Sequence, residues 1–440
     1  MGIKLRVLLV ALAGSVAWSA AAPALAQQTY ILSAPRWGQA QTDAVVAAGG
    51  AVTFSHEDAG IAVATSSDPE FLARVLTSGA IARGAADEVI ELPVPRVVSV
   101  EEAGITPLDE TFWAFQWAPR SVEAPEAWAA GCTGAGVRVA ILDGGIYDIH
   151  PDIGPNLDAS ASRSFVPGEP FNSDTGTFWH GTHVAGIVAA ADNGFGVIGI
   201  APQATLIGVK VLHSGSGSFS GVLQGILYAA APVAQGGAGA DIINMSLGGY
   251  WLKAGGHNAF FAFINQVVNY ASSQGVLVVS AAGNDSVDLD HIGPFEFVPA
   301  ESGSGLAVSA TGPVDFFSGG MNFRRPASYT NYGNSAINVA GPGGDFTLFP
   351  VGSWYLDMVI STIRGTSTPP TFSFGWAAGT SMAAPAVSAV AALAKQAHPG
   401  ISLGALKTLI QRSADDEGKQ GHDPFYGHGF VNAYAACTAK

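Results

Sequence analysis

Three short segments carry side chains that could perform covalent chemistry together. In Gly379-Thr380-Ser381-Met382-Ala383-Ala384-Pro385 a serine stands between a glycine turn and small apolar residues that continue to Ala394. Glycine permits backbone angles that a side chain would forbid. Pro385 falls in the first turn of the expected helix, where its missing N–H costs little. A hydroxyl there lies among unpaired N–H groups at the positive end of a helix dipole, which favours developing negative charge. Alone, such a serine reads as an N-cap. The second segment, Val137-Arg138-Val139-Ala140-Ile141-Leu142-Asp143-Gly144-Gly145, reads as a buried strand with an aspartate at its carboxyl end, where sites assemble in open α/β sheets. The third, His180-Gly181-Thr182-His183-Val184-Ala185-Gly186, opens another helix of small residues. Asp, His and Ser in that chain order form one of the recurring nucleophilic triads. The serine needs a base to take its proton, and the base needs an anion to hold its tautomer and stabilise its charged form.

The elements that must position these groups follow from the surrounding pattern. Strands over 137–143, 205–211, 242–246 and 276–281 alternate with helices near 180–190, 221–234 and 262–273. That alternation predicts an α/β domain with a mostly parallel sheet and helices on both faces. Stretches 312–325 and 341–374, rich in Gly, Pro, Ser and aromatics, read as loops, the second as a surface excursion near the cleft. Ahead of this domain, a strand over 30–33, a helix over 37–48, strands over 51–55 and 60–65, a helix over 68–77 and a last strand over 89–92 follow in turn. The order β-α-β-β-α-β predicts a small α+β, ferredoxin-like unit.

From about Val122 to Tyr434 the motifs resemble the subtilisin-type serine proteases, the subtilases. The resemblance implies a subtilisin-like fold in which Asp143 orients, His180 is the general base and Ser381 is the nucleophile, with His183 structural. Gly144 departs from the family, which usually has Thr or Ser there, so support of the aspartate is expected to be looser. A lone Gly-Asn is usually a turn, but at the end of the strand-like run 276–284 the resemblance makes Asn284 an oxyanion donor. Ser246, Leu247, Gly248 and Gly249 resemble the substrate-binding strand and pocket wall, and Gly215, Ser216 and Gly217 the opposite strand. Together they imply an extended peptide held by main-chain hydrogen bonds. A wall with so little bulk is expected to admit a sizeable apolar or aromatic residue, with Asp285 at the rim able to accept Lys or Arg.

The resemblance also divides the chain into an inhibitory propeptide domain over 27–93, a linker with the maturation site over 94–112, and a catalytic domain over 113–440. The propeptide would act as folding template and intramolecular inhibitor; a permanent accessory domain is the alternative. Asp152 and Asn193 resemble part of a family calcium site, and oxygen ligands suit that cation. A metal-free turn is the alternative, and the chemistry itself requires no cofactor. The closing Gly427-His428-Gly429-Phe430-Val431-Asn432-Ala433 resembles a packing segment, which argues against His422, Asp423 and His428 as metal ligands.

Composition bounds the rest. Of the 440 residues 48% are hydrophobic and 12% charged, which excludes general disorder, and a net charge of −15 argues against a nucleic-acid partner. Residues 1–26 read as a signal peptide: Lys4 and Arg6, an apolar run over 7–22, then Ala24-Leu25-Ala26. The run is shorter than the ~20 residues a membrane span needs, so a secreted protein, extracellular or periplasmic, is expected, with no membrane contact in its mature form. In an oxidising compartment the two cysteines, Cys132 and Cys437, are expected to be bridged. The expected protein is a monomeric secreted serine endopeptidase made as a zymogen and acting on peptides or proteins. An inactive relative used for binding, and an esterase or peptide ligase, are the alternatives from other classes.

Overall fold

The computed structural model describes residues 26–91, 97–100, 112–173, 179–254, 258–365 and 371–439. Of the expected signal segment only Ala26 lies among them, and of the expected linker only 97–100 and Phe112. The larger domain is built on seven parallel strands: β7 (Arg138–Asp143), β8 (Arg163–Ser164), β9 (Thr205–Lys210), β11 (Ile242–Met245), β13 (Leu277–Ala281), β15 (Leu306–Thr311) and β16 (Val339–Pro342). Their order is β16-β15-β13-β11-β7-β9-β8. Strands β7, β11 and β13 are buried over their whole length but for Arg138, as continuous apolar runs should be when helices cover both faces. Helices α5 (His180–Ala189) and α8 (Thr380–Ala397) pack together, and α6 (Phe219–Ala230) and α7 (Asn258–Ser273) pair with each other.

The ferredoxin-like unit forms, with one correction. β1 (Gln28–Ser33), α1 (Gln39–Ala47), β2 (Ala51–His56), β3 (Ile61–Ser66), α2 (Phe71–Thr77) and β4 (Arg83–Ala86) give an antiparallel sheet in the order β2-β3-β1-β4. The closing strand is therefore β4, not 89–92. Ala-Gly-rich β4 has no strand-like composition; it forms because Gly84 leaves room for Leu32 and Leu72, a hypothetical Cβ there lying 2.8 Å from each. Residues Val89–Glu91 instead form β5, which pairs antiparallel with β10 (Ser216–Ser218) of the larger domain.

A second correction concerns 341–374. It holds β17 (Val359–Arg364), which pairs with β18 (Phe372–Ala377), and β18 in turn pairs with β6 (Val98–Ser99). The hairpin is buried, with Phe374 and Trp376 fully enclosed, and α5 lies on it. Its Ser, Thr and Gly residues hid the strand period. Ser361 Oγ and Thr362 Oγ1 donate to the carbonyls of His183 and Thr182 at 2.8 Å each, so these polar positions bind a helix rather than face water.

Cys132, just before β7, and Cys437, in α10 (Ala433–Thr438), are disulfide-bonded with their Cα atoms 6.4 Å apart. Replacing both with alanine is expected to cost about 2–5 kcal/mol, the usual loss for a native bridge. Denaturant melts of mature protein would read it, and an unchanged midpoint would contradict the account.

His183 ties α5 to the hairpin: its Nε2–H is shared between Val359 O at 3.1 Å and Gly375 O at 3.0 Å. Burial pushes its pKa down to about 3, and likewise that of His150, bonded to Ser373 O, to about 4. The unfolded chain then binds more protons than the native one below pH 6.5, so stability is lost as pH falls from there towards 3. Asp152, raised by burial to about 6, opposes this as pH falls, as do Asp87, Glu296, Glu301 and Asp357, whose carboxyls burial also raises, so a single substitution is needed to isolate the histidine. The slope of the denaturation midpoint against pH, between pH 4 and pH 7, is expected to be less positive in His183→Gln than in wild type. An equal slope in the two proteins would contradict this assignment.

Candidate active site

The carboxyl end of β7 delivers Asp143, and the first residue of α5 delivers His180. His180 Nδ1 lies 2.8 and 3.0 Å from the two carboxylate oxygens, with both side chains out of contact with solvent. Nδ1–H therefore donates to Asp143, which leaves Nε2 as the basic nitrogen. Gly181 makes this approach possible, because a Cβ on it would lie 2.3 Å from Gly145 O and 3.0 Å from Asp143 Cβ. The Asp143 carboxylate also accepts from its neighbour's backbone, Gly144 N–H, at 2.7 Å. Gly144 thus supports the aspartate without a side-chain hydroxyl.

Sequence reasoning missed what lies beneath. Lys210, at the end of β9 and in register with Asp143, has no solvent exposure. Its ammonium donates to Gly144 O and to Leu212 O at 2.8 Å, and stands 3.1 Å from Glu169. It therefore fixes the turn that follows the aspartate. The available signal was a lysine inside an otherwise apolar strand, since a buried charge requires such partners.

Ser381 lies in the first turn of α8, which packs on α5, β11 and β13. Its Oγ donates to Ser246 O at 3.2 Å, and Ser246 Oγ returns a bond to Ser381 O at 2.7 Å. The pair joins the serine to the strand that enters the expected pocket wall. Asn284 follows β13, and its amide is oriented: Oδ1 accepts from Thr380 N–H at 2.8 Å and from Thr380 Oγ1 at 2.9 Å. Nδ2 is left pointing outward. An atom where a Gly379 side chain would begin would lie 3.5 Å from Asn284 Nδ2 and 3.6 Å from Ser381 N. The Asn284 amide and the Ser381 backbone nitrogen thus both border the Gly379 turn, and a pair of such donors is what stabilisation of an oxyanion requires.

The two expected substrate strands face a common groove. β10, carrying Ser216 and Gly217, follows Gly215, whose φ of +90° suits glycine. On the far side β12 (Gly249–Leu252) follows Ser246, Leu247 and Gly248. Between them run Glu88, Val89, Ile90 and Glu91 of the chain itself. Ile90 is buried in the same apolar cluster as Phe219, Trp251 and Phe260. The ferredoxin-like unit is anchored beside it: the Asp87 carboxylate accepts from Ser220 N–H at 3.0 Å at the start of α6, and Gln266 on α7 donates to Ala34 O at 2.9 Å.

At the expected metal position, Asp152 is fully buried. Its oxygens accept from Val197 N–H at 2.9 Å and Asn193 Nδ2 at 3.1 Å. A buried carboxylate, raised to about 6 by that burial, suits a hard cation in kind, though Asn193 must turn its amide to offer oxygen. Among the described residues no group of three His, Cys, Asp or Glu is placed to hold a metal, so carbonyl ligands would have to supply the rest.

Comparison with known proteins bears on the chain as a whole. Residues 134–429 match the sequence model of the Subtilase family. Subtilisin Savinase of Lederbergia lenta is 38% identical over 321 residues, covering 73% of this chain and 97% of that protein. M-protease of Shouchella clausii (strain KSM-K16) is 38% identical over 337 residues, 76% of this chain and 72% of that protein. The crystal structure of the epidermin leader peptide processing serine protease from Staphylococcus aureus has a TM-score of 0.72 at 21% identity. That likeness in fold covers 94% of this chain and 98% of the other.

Proposed function

The chain belongs to the subtilase family and is a serine endopeptidase, and we propose that it is made as an exported zymogen whose own N-terminal segment occupies the substrate groove. The observation that carries this is β5: Glu91, Ile90 and Val89 pair with Ser216, Gly217 and Ser218, the edge expected to hold substrate main chain. An extended segment added to that edge is how a peptide would bind. In this reading 27–93 is the propeptide, cut in the linker that follows, and the signal segment 1–26 directs export. No helix among the described residues is long and apolar enough to cross a membrane. The mature enzyme acts as a monomer on peptides or proteins.

In the reaction, Ser381 Oγ turns from Ser246 O and attacks the scissile carbonyl while His180 Nε2 takes its proton. Asp143 keeps Nδ1–H directed and stabilises the imidazolium. The tetrahedral oxyanion forms between Asn284 Nδ2 and Ser381 N–H. His180 then protonates the leaving amine, and water repeats the sequence to release the acyl group from Ser381. The proton moves only while His180 is neutral at the outset.

N-terminal sequencing and intact mass of purified active protein test the zymogen reading. A start within the linker, between residues 94 and 112, is expected; active enzyme that retains Gln28 would contradict it. Calcium at Asp152 and Asn193 is proposed as a structural ligand only. Melting of the mature enzyme is expected to shift upward with calcium relative to a chelator, and coincident melts would refute the site.

A further inference from the structure

Two glycines, one in the expected pocket wall and one next to Asn284, stand past the carboxyl ends of adjacent strands. Gly248 follows β11, Gly283 follows β13, and the two strands pair in parallel. On the protease reading above, a residue whose carbonyl lies between Ser381 and Asn284 would send its side chain between these glycines. The small bulk of Ser246-Leu247-Gly248-Gly249, which resemble a pocket wall, led to the expectation of a slot that a large side chain could enter.

The slot already holds a ring. β14 (Phe295–Val298) pairs antiparallel with β12 and carries Phe297, which is 5% exposed. Measured from where a Cβ would stand on Gly248, the ring of Phe297 lies at 2.6 Å; measured from Gly283, at 2.9 Å. One ring thus touches both walls. It is held there: Tyr250 meets it edge-on at 4.9 Å between centroids, and Phe297 N–H donates to Glu301 at 2.6 Å. Tyr250 is fixed in turn, donating to Asp285 at 2.8 Å and accepting from Asn331 Nδ2 at 2.9 Å. Asp285 is therefore engaged by Tyr250.

We propose that Phe297 fills the specificity pocket from within, so that this enzyme cuts after small residues (Gly, Ala, Ser) and not after large apolar or aromatic ones. The inference rests on the protease reading above, since it requires the acyl residue to enter between Gly248 and Gly283. It reverses the expectation of a sizeable residue. Wall bulk matters because a group that the slot cannot accommodate must displace a packed ring or leave the carbonyl out of place.

The test is kcat/KM of the mature enzyme on peptide anilides that differ only in alanine or phenylalanine at the cut site, with mass spectrometry of cuts in an unfolded protein. Wild type is expected to favour alanine by at least about 10-fold, the low end of pocket discrimination. In Phe297→Gly the alanine-to-phenylalanine ratio is expected to fall at least about 10-fold, with Phe297→Leu between the two. The ratio within one preparation does not depend on how much enzyme is folded. Preferred cutting by wild type after Phe, Tyr or Leu overturns the inference and leaves the protease reading intact, even if the variants do not fold. An unchanged ratio in active Phe297→Gly also overturns it. No hydrolysis of any bond by wild type would overturn both.

Discussion

Ser381→Ala is expected to abolish peptide hydrolysis and to leave the precursor uncut when it is produced in a host lacking other proteases. In subtilisin, of the same family, loss of the nucleophile costs about 2 × 10⁶ in kcat, and removing the base as well adds little, because the triad acts as a unit. A loss of that order is expected here. The variant should fold, since Ser381 Oγ makes one described bond, to Ser246 O, and alanine suits a helix as well as serine does. Retained β5 in the groove would then keep the uncut protein in the arrangement described above. Maturation of the variant at the wild-type position would mean that another enzyme makes the cut.

Asn284→Leu is expected to lower kcat by about 10²–10³ with little change in KM, the loss found for the corresponding donor of subtilisin. The reason lies in Thr380. Its N–H and hydroxyl both point at Asn284 Oδ1, which forces Nδ2 towards the volume it shares with Ser381 N–H. That donor stabilises charge that develops only in the transition state, so the loss falls on kcat. A rise in KM at constant kcat would place Asn284 in ground-state binding instead. Steady-state kinetics on one anilide substrate distinguish the two.

The parallel sheet and the chemical residues were legible because each is locally encoded. Val139, Ile141 and Leu142 announce a buried strand, and Asp143 stands at its carboxyl end, where the structure has it within 2.8 Å of His180. The ferredoxin-like order was legible too, but not which strand closes it. Arg83–Ala86 has little strand character, and its pairing with β1 depends on the small size of Gly84. Val89–Glu91 is strand-like yet finds its partner 125 or more residues away, at Ser216–Ser218. The β17–β18 hairpin was read as loop because its polar residues bond a helix. Phe297 was invisible as a pocket element for the same physical reason: only the return of β14 alongside β12 brings its ring between Gly248 and Gly283. Lys210 was readable as an oddity in an apolar strand, but its hold on the Gly144 turn depends on the register of β7 and β9.

Asp143, His180 and Ser381 acting as one nucleophilic unit would give Ser381 a reactivity that a fluorophosphonate reads out. The mature enzyme is treated with the reagent, digested, and the adduct mapped by mass spectrometry while hydrolysis of an unfolded protein is followed. A single adduct is expected, on Ser381, formed in step with loss of hydrolysis and strongly slowed in His180→Ala. An adduct on another serine, or hydrolysis that continues after Ser381 is fully modified, would contradict it.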